Sequence, residues 1–335
     1  MEFLQPEFLQ YDFMQRALIA ALLVGIAAPT VGVYLVQRRL ALIGDGMGHV
    51  ALTGVALGVL TGTAPVWTAL LCAAAAAVAI EFIRASGRTS ADVLLAVMFY
   101  GGIAGGVVLI GLSPDSNPAL LNSYLFGAIT TTSGTDLWVF VGLSAVVLAV
   151  AGGLAPRLFA VSNDEEYARA SGLNVLALNT LLAVLTATTV VVSMRVVGLL
   201  LISALMIVPN AAAQLVARSF RSSILLAVAI GVLCSVGGTA GSYYAATPSG
   251  GTIVLLAIAV YVVVALSTSG WRAVHARRHQ AVPHAHEHGP RCGHPAIEHG
   301  DHVDYLHDGH RHAPHGAHYD EHAPAPAGEA EVFPK

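Results

Sequence analysis

The chain has 335 residues, of which 56% are hydrophobic and only 11% charged, and its mean hydropathy is +0.70. A soluble domain of average composition carries about twice that share of charge, so a soluble enzyme with one apolar helix is excluded, and the formal net charge of −4 says little because the charges are so unevenly placed. The apolar runs are long, continuous and rich in Ala, Leu, Val and Gly. A spanning β-barrel would instead show short alternating segments, so the composition predicts an all-α, polytopic transmembrane helical bundle.

Residues 1–16 begin MEFLQPEFLQYDF. This start is acidic where a signal peptide is basic, and it reads as an interfacial segment. A transmembrane domain follows over 17–270. Its spans are expected near 17–36, 41–61, 65–84, 92–112, 136–155, 174–194, 196–216, 222–243 and 251–268, a bundle of about eight to nine. The stretch ALLNSYLFGAITTT (119–132) is weakly apolar and interrupted, which suits a short helix or re-entrant piece packed in protein. Arg38, Arg39, Arg84, Arg88, Arg157, Arg218, Arg221, Arg272, Arg277 and Arg278 fall on one side if the spans alternate. That side is expected to be cytoplasmic; Arg195 is the exception. Gly44/Gly48, Gly54/Gly58, Gly101/Gly105 and Gly102/Gly106 have the spacing that lets membrane helices approach closely. Cys72 and Cys234 lie in apolar runs and Cys292 in a polar one, which implies no disulfide framework.

The second span contains LIGDGMGHVALTGVALG. Asp45 is the only acid well inside an expected span, and His49 is the only histidine outside the C-terminal tail. A charge at mid-membrane costs about 2.5–3.5 kcal/mol even on the gentler insertion scale, so it needs a partner or water. Spacing of four residues stacks the two side chains on one helix face. Together they supply two donors, whereas zinc prefers four. Two copies of the chain meeting at a dyad would supply two Asp and two His around one passing ion.

Composition changes at Trp271. Fourteen of the fifteen histidines lie between 275 and 322, among Pro, Gly, Ala and acids. So few core-forming residues predict a disordered tail over 271–335 in the absence of a ligand. Neutral imidazole suits zinc, copper and nickel, and His284, His286, His288, His294, His310 and His312 are candidate ligands. Many equivalent sets exist, so no single site is specified.

At this point the motifs are familiar. LIGDGMGHVALTGVALG resembles the signature of bacterial ABC-type zinc/manganese importer permeases, G-D-x-x-x-H-x-x-L-x-G-V-A-L. LNSYLFGAI (121–129), SNDEEYARASGLN (162–174), VGLLLISALMIVPNAAAQL (197–215) and TPSGGTIVL (247–255) resemble later segments of that family in order. The likeness covers about residues 12–268. It implies a multi-pass permease of the bacterial inner membrane that moves Zn²⁺, or Mn²⁺, into the cytoplasm. It further implies a dimer, cytoplasmic ATPase subunits and an external metal-binding protein, with Asp45 and His49 contacting the metal. It departs from the family at Met47-Gly48, where Gly48 is expected to loosen the helix, and at Asn210, where Ala is common.

The resemblance also implies that 162–174 is the cytoplasmic coupling segment, with Asp164, Glu165, Glu166, Ala168 and Gly172 as coupling residues. Independently, Asn163 or Ser162 suits a helix cap, the three acids favour a first turn, and Gly172 suits the end. The only lysine is Lys335, so a P-loop is impossible in this chain and ATP must be hydrolysed by another polypeptide. No nucleophile–base pair or cofactor loop points to an enzyme, no tightly bound cofactor is expected beyond Zn²⁺ as substrate and tail ligand, and no basic aromatic patch suggests nucleic acid. Beyond membrane lipid and these subunits no partner is implied. The competing readings are a secondary divalent-metal carrier, which needs more intramembrane ligands in one chain, and a metal sensor with a His-rich regulatory tail.

Overall fold

The computed structural model describes residues 10–87, 90–113, 118–127, 134–194, 196–199, 201–278, 293–299, 302–307, 310–315 and 318–322. The chain divides into two units, Met1–Ala265 and Leu266–Lys335. The helices in order are α1 (Asp12–Gln37), α2 (Leu42–Thr61), α3 (Pro65–Ala85), α4 (Ala91–Gly111), α5 (Pro118–Phe126), α6 (Gly134–Gly153), α7 (Ala155–Asn163), α8 (Glu165–Ala170), α9 (Val175–Ser193), α10 (Ile202–Gln214), α11 (Phe220–Ala245) and α12 (Ser249–Arg278).

Among the described residues seven helices are long and apolar enough to cross a membrane, or eight if the pair Leu137–Gly153 and Ala155–Asn163, bent by 69°, forms one span. The difference from nine lies in the run 196–216. It is folded as the 13-residue α10, preceded by irregular backbone. That backbone is satisfied inside the protein, the condition under which a membrane tolerates it. The Leu199 amide donates to the Tyr124 carbonyl at 2.9 Å, and the Ser249 hydroxyl donates to the Val196 carbonyl at 2.8 Å. Gly198 and Gly127 adopt φ of +89° and +75°, and a side chain at either would strike the backbone of the other's segment. The start of α12, the end of α5 and the broken run therefore meet without side chains between them. The interrupted stretch near 119–132 contains the short helix α5; residues 128–133 lie outside the described set.

Helices α1, α2 and α9 form the interior, with about two-thirds or more of each apolar window buried, whereas α3, α4, α11 and α12 bury about a third or less of theirs. α1 packs on α11, α10, α6 and α9, while α2 packs on α4, α3 and α9. Small residues set these crossings. A Cβ on Gly54 would lie 2.5 Å from Ala69 of α3, and one on Gly102 would lie 2.6 Å from the carbonyl carbon of His49. Thr53 donates to the Gly102 carbonyl at 2.7 Å across the same contact. Of the glycine pairs expected to pack, Gly101 is the exception and faces open space. Gly48 does not loosen α2. A Cβ there would approach the Leu199 carbonyl oxygen to 2.7 Å, so its absence brings α2 against the irregular run.

Several polar residues inside the bundle find partners in it, although Oδ1 of Asn210 and the hydroxyls of Ser144, Ser162 and Ser223 do not. Asn210 is fully buried and donates to the carbonyls of Pro29 (3.0 Å) and Met206 (2.7 Å), fixing α10 to α1. On α9 the hydroxyls of Thr186, Thr188, Thr189 and Ser193 each donate to a carbonyl four residues earlier, which hides them in an apolar environment. Cys72 and Cys234 are free thiols, half-buried and buried respectively, that act as small apolar side chains in the bundle.

In the second unit the described residues form an antiparallel meander, β1 (Ala296–His299), β2 (His302–His307), β3 (His310–His315) and β4 (His318–His322), in the order β1-β2-β3-β4. Its described side chains bury only Ile297, Asp304, Tyr305 and His312. A core this small agrees with the composition of the tail, which offers few apolar residues.

The α2–α4 contact gives a paired test. Gly102→Ala places a methyl against backbone and is expected to lose about 1–3 kcal/mol. Gly101→Ala, which meets nothing, is expected to be neutral or slightly stabilising through helix propensity. Thermal unfolding midpoints of the two purified variants in detergent check this.

Candidate functional site

Asp45 and His49 are brought together on α2, with Asp45 Oδ2 4.0 Å from His49 Nε2. That separation is too long for a hydrogen bond, so the two groups share a face without satisfying each other. The Asp45 carboxylate instead accepts a hydrogen bond from Ser203 of α10, with Oγ 3.3 Å from Oδ1. His49 packs edge-on against Phe99 of α4, with ring centroids 4.1 Å apart. Its side chain is 6% exposed, while that of Asp45 is 26% exposed. The carboxylate opens into a cavity of about 320 Å³ lined by Leu42, Asp45, Leu95, Ala96, Phe99 and Tyr100. The pair thus has one buried donor and one facing a cleft between α2 and α4.

α2 starts within one residue of the expected 41, which puts Asp45 nearer the helix end than expected of an acid well inside its span. Asp45 is in the first turn of α2, about 4.5 Å along the axis from Leu42 at 1.5 Å per residue. The reason is the tight turn before it. Arg39 takes a left-handed φ of +58°, and the Leu40 amide returns to the Leu35 carbonyl at 2.9 Å, so α1 reverses into α2 within four residues. A carboxylate in the first turn also faces the favourable end of the helix dipole.

A second polar cluster gathers at the end of α1. Arg38, only 7% exposed, donates through Nη1 to Asn179 Oδ1 of α9 at 2.8 Å and lies 3.6 Å from Glu165 Oε1 of α8. Asn179 Nδ2 donates to the same Glu165 oxygen. Arg84 of α3 also reaches that oxygen at 3.6 Å and holds Glu81, which is 2% exposed, through Nε at 3.1 Å and Nη2 at 2.8 Å. Burial and the neighbouring Arg84 pull the Arg38 pKa below its ordinary value, and Glu165 and Glu81 pull it back; an arginine so placed stays cationic. Nearby, Gln37 Nε2 donates to Asn163 Oδ1 at 3.2 Å. One carboxylate, Glu165, therefore ties α8 to α1, α3 and α9.

The expected coupling residues occupy different parts of α8. Its cap is Asp164, whose carboxylate accepts from the Tyr167 amide at 2.9 Å. Neither Ser162 nor Asn163 serves, because both belong to the preceding helix α7. Gly172, at φ +82°, ends the turn as expected. The Gly172 amide bonds to the Arg169 carbonyl and the Leu173 amide to the Ala168 carbonyl, each at 3.1 Å, the Schellman pattern. Ala168 is fully buried with Val161 and Val175, so it anchors the helix. Glu166 and the 68%-exposed Tyr167 face outward.

Of the tail candidates, His284, His286 and His288 lie outside the described residues. His294 precedes β1, His310 and His312 lie on β3, and His312 is 1% exposed. Among the described residues no group of three or more His, Cys, Asp or Glu side chains is arranged to hold a metal. Sequence reasoning missed Ser203 and the Arg38–Glu165–Arg84–Glu81–Asn179 cluster. Signals existed for two of them: Glu81 precedes Arg84 by three residues in an apolar run, and Asn179 interrupts another.

The chain resembles known proteins over the helical part. It is 32% identical to the manganese import system permease protein ScaB of Streptococcus gordonii, with 77% of this chain and 93% of that protein covered. It is 30% identical to the manganese transport system membrane protein MntC of Halalkalibacterium halodurans, with 77% and 88% covered. The solved structure of PsaBC from Streptococcus pneumoniae in complex with Fab superposes with a TM-score of 0.70 at 33% identity, covering 77% of this chain and 92% of that one. The ABC 3 transport family matches residues 10–268, the bundle that carries Asp45, His49 and the Glu165 cluster. With these helices, this pair and this match, the chain belongs to the ABC 3 transport family, as a multi-pass membrane permease subunit.

Proposed function

We propose that this permease forms the membrane path through which an ABC importer moves Zn²⁺ into the cytoplasm. The observation that carries the reading is the Asp45–His49 pair: two metal donors on one face of a buried helix, not satisfied by each other, with the carboxylate open to a cleft. Intramembrane ionisable groups of this kind mark ion pathways. One chain offers two donors, so a second copy related by a dyad supplies the other pair and completes a four-donor site of the kind zinc prefers. Ser203 holds the Asp45 carboxylate and orients it toward the ion.

The chain is a transport subunit rather than an enzyme, and as an ABC permease it works with separate ATPase subunits. We place their docking at α8. Glu166 and Tyr167 face outward there, while Glu165 and Ala168 hold the helix to the bundle. A push on α8 then reaches α1 and α3 through Arg38 and Arg84. Arg38 immediately precedes the turn into α2, so the same push arrives one helical turn from Asp45. An external metal-binding protein delivers the ion on the opposite side, and the tail stays cytoplasmic, binding Zn²⁺ as a buffer or sensor.

The manganese reading is favoured by the names of the relatives, and an Asp/His site accepts either ion. Zinc is preferred on the imidazole donors and the fourteen tail histidines. Uptake into proteoliposomes containing the permease and its ATPase, with the two ions in competition, separates these readings. In the same assay Asp45→Asn and His49→Ala are each expected to lower flux at least about 100-fold, the loss of roughly 2.7 kcal/mol of ion stabilisation; near-normal flux in both variants removes the proposal.

Two further outcomes follow from the coupling and the tail. Removing one partner of a buried ion pair is strongly destabilising, so Arg38→Ala is expected to cut uptake at least about tenfold while the ATPase subunits still hydrolyse ATP. Equal uptake per ATP in wild type and variant contradicts a coupling role. Deleting residues 275–335 is expected to change uptake rate or its response to metal without abolishing transport, measured as initial rates over a range of zinc concentrations.

A further inference from the structure

We propose that the cavity between the end of α1 and the start of α11 binds the phosphate headgroup of an anionic phospholipid. This site is separate from the metal path and does not depend on it. The cavity holds about 500 Å³ and is walled by the end of α1, by α7 and by the loop that joins α10 to α11. Its polar wall carries Arg39, Arg218, Ser219 and Ser223, and among the described residues no acid lines it.

Three observations point to an anion. The first is a pair of cations without counter-charge. Arg39 and Arg218 are exposed, and the ion pairs of the described residues engage Arg16, Arg38 and Arg84 but neither of these two. The second is the positive end of a helix dipole. α11 is 26 residues long and starts at Phe220, with Ser219 as its cap, and an anion is favoured at such an end. The third is a buried hydroxyl. Ser223 is 6% exposed, and its Oγ has no hydrogen-bond partner among the described residues. Other hydroxyls of the bundle turn back to the carbonyl four residues earlier, as Thr239 does to Ser235 at 2.7 Å. For Ser223 that acceptor is the Ser219 carbonyl, which already receives the Ser223 amide at 2.9 Å and the Ser222 hydroxyl at 2.8 Å. A donor is thus left over in the wall beside two arginines, and a phosphate oxygen is the acceptor it lacks.

The rest of the wall selects a lipid over free phosphate. Phe159 and Phe220 line the cavity next to the arginines, with ring centroids 4.3 Å apart. Inorganic phosphate gains nothing from phenyl rings, whereas a phosphodiester that carries acyl chains does. Depth agrees with this. At 1.5 Å per residue the 26 residues of α1 and of α11 each span about 39 Å. The hydrocarbon core is about 30 Å thick, so the helix ends reach the headgroup layer. Basic pockets between membrane helices at that level bind anionic headgroups.

The test uses the full-length permease in non-ionic detergent, with bound lipid counted by native mass spectrometry as phosphatidylglycerol is added to the micelles. One phosphatidylglycerol is expected to bind at least about tenfold more tightly than phosphatidylcholine, whose choline cation opposes the arginines. Arg39→Asn combined with Arg218→Gln is expected to weaken that binding at least about tenfold, through lost charge-assisted hydrogen bonds; Asn suits the left-handed backbone at this position. Ser223→Ala is expected to weaken it about threefold or more. Arg16→Gln, at the opposite end of α1, is expected to leave it unchanged, and an effect equal to that of the cavity variants overturns the proposal. Because the double variant can disturb the turn at Arg39, the unmutated protein is also labelled with phosphatidylglycerol carrying a photoreactive headgroup. Cross-links are expected within 36–39 and 214–223; labels spread evenly around the bundle overturn the proposal. Displacement of the lipid by millimolar inorganic phosphate assigns the site to free phosphate and overturns it too. Unchanged lipid binding in cavity variants that assemble poorly with the ATPase subunits assigns the cavity to a protein contact, with the same consequence.

Discussion

Water is absent from the interior of a membrane bundle, so each polar group in it must find a partner in the chain itself. Most of this structure is organised by that requirement. The hydroxyls of α9 turn back to their own helix, Asn210 bridges α10 to α1, and Ser249 closes on the carbonyl of Val196 in the broken run. Glu81, almost wholly buried, is held by Arg84. Against this background Asp45 and His49 stand out because they do not satisfy one another. The proposed passage of a divalent cation rests on this pair, whose carboxylate also opens to a cleft.

Close packing determines where that opening lies. Gly102 lets α4 press against the backbone of His49, and Gly48 lets the irregular run press against α2 from another side. Both contacts depend on a missing side chain, so backbone is held against backbone and has little freedom to shift. Phe99 then covers the imidazole, and the carboxylate alone keeps access to the cleft. The geometry of the two side chains is therefore set by α4 and the irregular run as well as by the helix that carries them.

The Glu165 cluster extends the same logic to the bundle's end. A lone buried arginine is costly, and Arg38 meets that cost with Glu165 and Asn179, which belong to α8 and α9. Since Arg38 also sits beside the turn that positions Asp45, the short helix α8 and the first turn of α2 are joined through one side chain and a few residues of backbone. This continuity links an outward-facing helix to the Asp45–His49 pair.

The sequence by itself determined the class of the protein and the shared face of its intramembrane polar pair. Hydropathy runs longer than 18 residues demand helices in lipid, four-residue spacing puts Asp45 and His49 on one face, and acids followed by Gly172 mark a short capped helix. These are local properties, carried by neighbours in the chain. Only the tertiary structure decided the rest. The run 196–216 looks as apolar as any span, and its break depends on α5 and α12 supplying hydrogen-bond partners from far away in sequence. Asp45 sits in the first turn because the chain reverses through Arg39 and Leu40 just before α2. Ser203, Arg38 and Arg84 gained their roles from residues between 81 and 158 positions distant, and Ala168 became an anchor because Val161 and Val175 fold around it. Hydropathy and motif spacing register what a residue is and what lies next to it; the pairing of buried charges depends on which helices meet, and that is settled by packing.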